Sequence, residues 1–360
     1  MYHHRTSVGA GGIVLALMLV QFPPPSLGVH DLVVVGLDGW GVSPTAPADV
    51  ADWLADSWVY TLQARTAYDP DSTVGWASVL HGYGPEFHGI LTEAAFHPPP
   101  GWRSAAPCRH RLPTALDRLA LAGHDVAAWS TLELLQEYGT GAAPPVRLVA
   151  TTEQAVTQAV ARLQTPTPAA VRFTLVHIDD VDHAGHHHGW FSAEYAAAVQ
   201  RAKQWVDRLR SAHADLSVVV TADHGGYRST HKQVWDLGTL QIPLLVYSTH
   251  LPRAYAVPDR TELAGLVANV DVFPTVWDLA GLPASSAFRG RSVLWAQAAL
   301  VAGADHFPAC LYADVYWWHF LVWVGYREIG WGLVVVGGVL LGLGGGLGWW
   351  VRRSMAPDWK

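Results

Sequence analysis

The chain has 360 residues, room for one large α/β domain or two smaller ones, and a formal net charge of −7. That balance, with no Lys/Arg-dense run, excludes a protein built to neutralise a nucleic-acid backbone, so no nucleic-acid polymer is expected as a partner. Only 15% of residues are charged and 18 are Trp, against roughly 25% charged in ordinary soluble domains, so part of the surface is expected to meet lipid.

In chain order, residues 1–28 combine a basic start (Arg5), an apolar stretch near 13–20 and Pro23-Pro24-Pro25. An apolar run of roughly 10–14 residues suits a signal-peptide core better than a bilayer span; an uncleaved anchor is the alternative. Residues 31–39 read as a buried strand ending in Asp38. Residues 113–122 have helical spacing and run through Gly123 into a strand at 125–129. Residues 152–163 form an amphipathic helix opened by Thr151 or Thr152, and residues 192–212 form a longer one with Ser192 as cap. Strands are expected at 171–178 and 216–221. Another at 242–247 is expected to tolerate an edge, because Pro243 cannot donate to a ladder. A helix over 270–282 ends at Gly281 and Pro283. The sum is one α/β domain over residues 29–304, a predominantly parallel sheet sandwiched by helices.

Beyond it, residues 305–329 carry Tyr312, Tyr316, Trp317, Trp318, Trp323 and Tyr326, an aromatic juxtamembrane segment or, equally, core. Residues 330–351 are uncharged; about 22 residues at ~1.5 Å each give roughly 33 Å, enough for a transmembrane helix through a ~30 Å hydrocarbon layer. Arg352 and Arg353 then place residues 352–360 in the cytoplasm and the domain on the extracellular or luminal side. Gly338, Gly342 and Gly346 offer the spacing for a homodimer through that helix. Whether Cys108 and Cys310 pair is open.

Two runs carry the chemistry: Asp182-His183-Ala184-Gly185-His186-His187-His188, and Asp223-His224-Gly225-Gly226 with His231 beyond. Carboxylate oxygen and imidazole nitrogen suit zinc, manganese or iron, and both runs follow strand-like segments, at the functional edge of an open α/β sheet. Asp38, after a third such strand, supplies another carboxylate. Asp179 and Asp180 compete with Asp182 as ligand. His183, His187 and His188 are read as lying outside the ligand set.

The segment Asp71-Ser72-Thr73-Val74-Gly75-Trp76 and the loop Gly82-Tyr83-Gly84-Pro85-Glu86-Phe87-His88-Gly89 resemble the alkaline phosphatase superfamily, in its type I phosphodiesterase/nucleotide pyrophosphatase branch. Asp182-x-x-Gly185-His186, Asp223-His224-Gly225, Ile242-Pro243 and Asp271-x-x-Pro274 extend the resemblance over roughly residues 31–294. It implies two divalent metal ions, zinc above manganese or iron. Asp38, Ser72, Asp223 and His224 would surround one, and Asp182, His186 and His231 the other. Counting back from Trp76 puts the nucleophile at Ser72, with Thr73 as the adjacent alternative. Backbone N–H groups of the helix that Ser72 opens would bind phosphate oxygens. Val74 and Gly75 depart from the Pro and Asn that often follow the nucleophile in this branch.

The resemblance therefore implies a membrane-anchored phosphodiesterase or pyrophosphatase acting on a phosphate ester through a covalent seryl intermediate. The alternatives are a phosphoethanolamine-type phosphotransferase, a phosphomonoesterase, or a metal-stabilised binding protein without turnover. A sulfatase is disfavoured, since no Cys/Ser-x-Pro-x-Arg run surrounds Ser72.

Overall fold

Eight strands make one mixed sheet in the computed structural model, which describes residues 31–42, 50–56, 59–67, 70–91, 112–169, 171–232, 236–248, 261–262, 267–282, 285 and 288–294. They are β1 (Asp31–Leu37), β2 (Val59–Arg65), β3 (Asp125–Ser130), β4 (Arg147–Leu148), β5 (Arg172–Ile178), β6 (Leu216–Thr221), β7 (Gln241–Tyr247) and β8 (Thr261–Glu262). The spatial order is β4-β3-β5-β1-β6-β7-β2-β8, and every pairing is parallel except the two made by β7. Every residue of β1, β5 and β6 is buried. This is why those strands read as continuous apolar runs rather than alternating ones.

The helices are α1 (Ala51–Asp56), α2 (Ser72–His81), α3 (Pro85–His88), α4 (Ala115–Leu121), α5 (Thr152–Leu163), α6 (Asp180–His188), α7 (Ala193–Arg210), α8 (Leu237–Leu240) and α9 (Val272–Leu279). Two adjacent residues of β5 show that they cover both faces, because neighbouring strand side chains point to opposite sides. Arg172 turns toward α5 and donates to the carbonyls of Arg162 and Leu163 at that helix's end. Phe173 packs on Phe273 of α9, ring centres 5.8 Å apart. Arg172 also grips Asp31 with two hydrogen bonds of 2.6 and 2.7 Å, pinning the start of β5 to the start of β1. Removing one partner of such a buried pair typically costs about 3–5 kcal/mol.

Local signals account for the helix starts. Thr151 and Ser192 cap α5 and α7 by accepting from Gln154 N and Tyr195 N. Thr114 and Asp117 form a reciprocal capping box that starts α4 at Ala115, two residues later than helical spacing implied. The expected 270–282 helix is a 3-10 turn, Asn269–Asp271, followed by α9.

The expectation for Pro243 is corrected: β7 lies inside the sheet, between β6 and β2. Pairing with β2 jumps from Thr61↔Leu244 to Ala64↔Ile242, so Pro243 falls opposite a bulge, a position that tolerates a proline inside a sheet. Among the described residues no helix is long and apolar enough to cross a membrane. The residues expected to form a leader (1–28), an aromatic juxtamembrane segment (305–329), a span (330–351) and a tail (352–360), with Cys108 and Cys310, lie outside the described residues.

Candidate active site

The parallel strands deliver their carboxyl ends to one edge, and the side chains singled out from sequence meet there. Asp38 follows β1, Asp223 and His224 follow β6, and α6 begins just after β5 and carries Asp182 and His186 one turn apart. Ser72 is the first residue of α2, and His231 sits in the loop after β6.

Two sets of ligand atoms form, each within 4.8 Å of one another: Asp182, His186 and His231, and Asp38, Asp182 and His224. Asp182 thus stands between the two sets rather than in one alone. Asp223 flanks the second, its Oδ2 3.4 Å from His224 Nε2, while its Oδ1 accepts the Gly39 N–H at 3.1 Å. Gly39 holds φ at +69°, and a side chain there would run into Asp182, so a glycine is needed for this approach.

The three histidines share one device. His186, His224 and His231 each point Nδ1 at a backbone carbonyl, of Ser229 (3.1 Å), Gly225 (2.9 Å) and Pro70 (2.5 Å) respectively. A carbonyl only accepts, so the proton sits on Nδ1 and the Nε2 lone pair is left as a ligand. His224 and His231 stack with ring centres 4.1 Å apart.

The electrostatics ask for a cation. Burial, then the Asp38 and Asp179 charges, push the Asp182 carboxyl up to about 8. Burial and Asp38 raise Asp223 well above the carboxylate range. Burial also opposes ionisation of Asp38, but His177 and His224 outweigh it and hold that carboxyl low. Burial depresses His224, and burial with His224 lowers His231 to about 3. Asp182 Oδ1 and Asp223 Oδ2 are buried without a hydrogen-bond partner. Crowded carboxylates, orphaned oxygens and neutral imidazoles suit divalent ions: positive charge would relieve the first two and keep the imidazoles in their ligating form.

Ser72 Oγ lies 3.3 Å from Asp38 Oδ1 and 3.1 Å from His224 Nε2, at the rim of the second set. Asp71, not Ser72, caps α2, accepting from Thr73 N, and Lys232 pairs with it. Burial raises the Asp71 carboxyl, but Lys232 and Thr73 together outweigh it and bring it down to about 2. Thr73, the adjacent alternative, is buried and its backbone N–H donates to Asp71 Oδ1 at 3.0 Å. The expected anion site at the helix opening is corrected. Thr73 N is taken by the Asp71 side chain, and Val74 N and Gly75 N by the Asp71 carbonyl. Gly75, where the branch often has Asn, lies so close to Asp223 that a Cβ would be 2.8 Å from the Asp223 Cβ.

Asp179 and Asp180 take hydrogen bonds from Thr131 and Thr152, away from both sets. With His183, His187 and His188 they line a groove of about 660 Å³ on another face of α6. How three further side chains support the site was not read from sequence. Trp76 and His177 both hold Asp38 Oδ2, at 2.9 and 3.0 Å. Trp190 sets its ring edge-on to His186, centres 5.0 Å apart, and donates to the Gly39 carbonyl at 2.8 Å. The signal for His177 was its place near the end of the strand leading to Asp182; for Trp76, its place one turn after Ser72.

The model of the type I phosphodiesterase / nucleotide pyrophosphatase family matches residues 32–240, more than half of the chain and all the residues above except Asp271 and Pro274 of the lesser motifs and Ile242-Pro243. Arylsulfatase K of Danio rerio is 31% identical over 81 residues, covering 21% of this chain and 14% of that protein. Among solved structures, a 2-O GAG sulfatase aligns over 75% of this chain and 74% of its own at 15% identity, with a TM-score of 0.53. The lipoteichoic acid synthase LtaP from Listeria monocytogenes aligns over 75% and 76%, again at 15% identity, with a TM-score of 0.52. At that identity the likeness is one of fold.

Proposed function

Given that the chain belongs to the type I phosphodiesterase / nucleotide pyrophosphatase family of the alkaline phosphatase superfamily, we propose that it is a two-metal phosphodiesterase or pyrophosphatase with Ser72 as nucleophile. Asp38, Asp223 and His224 would hold one divalent ion and Asp182, His186 and His231 the other, with zinc the first candidate. When bound, such ions supply Lewis-acid charge to a phosphoryl group and lower the proton affinity of a coordinated hydroxyl.

The observation that carries the reading is Ser72 Oγ within 3.3 Å of Asp38 Oδ1 and 3.1 Å of His224 Nε2. The hydroxyl hydrogen faces groups that can accept it, and α2 holds the oxygen at the edge of the donor set. Ser72 Oγ attacks phosphorus, a seryl phosphate ester forms, and the alcohol or phosphate leaving group departs. Water then cleaves the Oγ–P bond and regenerates the hydroxyl. Two in-line displacements give net retention at phosphorus.

Turnover of a chiral thiophosphate diester tests this directly: retention is expected, and inversion would mean direct attack by water. A panel of phosphate mono- and diesters and sulfate esters reads the substrate class, with the diester expected to lead; a leading sulfate ester would move the chain toward the sulfatases that share its fold.

Membrane attachment belongs to the same proposal, supported by the uncharged residues 330–351 before Arg352-Arg353. Protease added outside sealed cells should digest the domain; complete protection would reverse the orientation. A homodimer through that helix would be lost on Gly342→Leu.

A further inference from the structure

We infer that Trp76 and His177 are positioning residues that make Asp38 a one-oxygen metal ligand; this rests on the two-metal reading above. Both N–H groups converge on the same carboxylate oxygen. Trp76 Nε1 donates to Asp38 Oδ2 at 2.9 Å and His177 Nε2 at 3.0 Å. A carboxylate only accepts, so Nε2 of His177 carries its proton and is not itself a ligand. Oδ2 is thereby occupied by the protein, and Oδ1 is the oxygen that faces Ser72 Oγ at 3.3 Å and His224 Nε2 at 3.6 Å.

Each donor is itself fixed. His177 and Trp76 are fully buried and meet edge to face, ring centres 4.9 Å apart. Ser130 Oγ, at the end of β3, lies 3.0 Å from His177 Nδ1 and sets the ring's rotation. Trp76 lies one helical turn after Ser72, on the same side of α2, so its indole ties the helix of the nucleophile to the ligand. The opening for that indole is Gly36 of β1: a Cβ there would stand 2.2 Å from Trp76 Cη2. A glycine inside a buried strand otherwise weakens it, so its presence is explained by the ring it admits.

Fixing one carboxylate oxygen stops the group from rotating into two-oxygen coordination and holds Oδ1 at one distance from Ser72. Groups that orient a ligand in this way typically change metal affinity by about 10- to 100-fold when removed. Trp76→Phe keeps an aromatic ring but removes the N–H together with part of the indole's bulk, so its melting temperature is read beside its metal affinity. His177→Leu removes the other donor, and His177→Gln returns an N–H at a similar reach. Gly36→Ala displaces the indole without touching the site.

The experiment measures zinc affinity and stoichiometry by competition with a chromophoric chelator, together with kcat, KM and the melting temperature of each metal-free variant. Expected are a roughly 10-fold or greater weakening of one of two zinc ions in Trp76→Phe and His177→Leu, with kcat falling and KM nearly unchanged, a similar change in Gly36→Ala, and recovery in His177→Gln. Two ions held with wild-type affinity in Trp76→Phe and His177→Leu would overturn the inference. So would a failure of His177→Gln to recover affinity while melting like the wild type. Failure of the underlying reading looks different: the wild-type protein itself would bind no zinc.

Discussion

Asp38, Asp223 and His224 stand at strand ends and are closed off from solvent, whereas His186 projects from a short helix with 40% of its side chain exposed. The strand-end group is braced on several sides: Asp38 by two N–H donors, Asp223 by Gly39, His224 by its neighbouring carbonyl. Asp182 Oδ1 and Asp223 Oδ2 both lack a hydrogen-bond partner, so the difference lies in the two N–H donors on Asp38 and in His186, which is open to solvent and leans on one loop carbonyl. A braced, water-excluded set loses little freedom when an ion enters, and a looser one loses more. The strand-end group should therefore bind first and release last.

The largest effect expected from this asymmetry separates Asp38→Ala from His186→Ala. Asp38→Ala should abolish turnover by on the order of 10³-fold or more, because it removes both a ligand and the group that faces Ser72. His186→Ala should release about one ion equivalent while the strand-end ion stays, measured by elemental analysis after gel filtration. Equal ion loss in the two variants would erase the distinction.

Next comes the order of metal removal. A rising chelator concentration should empty the protein in two steps, activity falling with the first and most of the thermal stabilisation with the second, since ligand binding stabilises in proportion to occupancy and affinity. Nuclear magnetic resonance of the histidine rings should show His186 and His231 changing before His224. One concerted step would make the halves equivalent.

A third test uses the metal-free protein. The folded-state pKa of Asp182 is raised from 3.8 to about 8, so the folded protein binds this proton more tightly than the unfolded chain does. Its contribution is complete below pH 3.8 and is lost as pH rises toward about 8, with a slope of up to about 1.4 kcal/mol per pH unit. Melting curves of chelated wild type and Asp182→Asn across that window should converge at the acid end and separate at the alkaline end, with the variant the more stable. Zinc should reverse the ranking. A pH-independent difference would mean that Asp182 is not held in a repulsive setting.

Much of the ligand set was legible in the sequence. Asp38, Asp182, Asp223 and His224 follow strands whose apolar runs are hard to mistake, so topology alone carries them to one edge. What escaped was the bracing. The hydrogen bonds made by Trp76, His177 and Trp190 had no signature in the sequence, because a donor's target depends on which strand lies beside which. Strand β2 escaped as well. Its register is set by a bulge opposite Pro243, a tertiary circumstance that also let a proline sit inside the sheet. The assignment of Asp182 to a single ion followed from the motif, and its place between two donor sets depends on how α6 leaves β5.

The smallest effect concerns the tie between the two halves. Lys232 follows the buried His231 and pairs with Asp71, the cap of the helix that opens with Ser72. With the Lys232 side chain 42% exposed, solvent screens the pair, and Lys232→Ala should change stability by no more than about 1 kcal/mol. Asp71 nevertheless titrates at about 2 in the folded protein against its ordinary 3.8, so its stabilisation is present above 3.8 and is lost as pH falls toward about 2. In Lys232→Ala the folded-state value rises toward 3.8, so that stabilisation is smaller and its loss is complete at a higher pH, visible as an earlier acid transition in circular dichroism. Metal content should stay at the wild-type level, because Lys232 is not among the ligands. An unchanged acid transition would show that the α2 cap holds without the lysine; a lost ion would show that the lysine positions His231, and the two halves would then be coupled more tightly than their separate bracing implies.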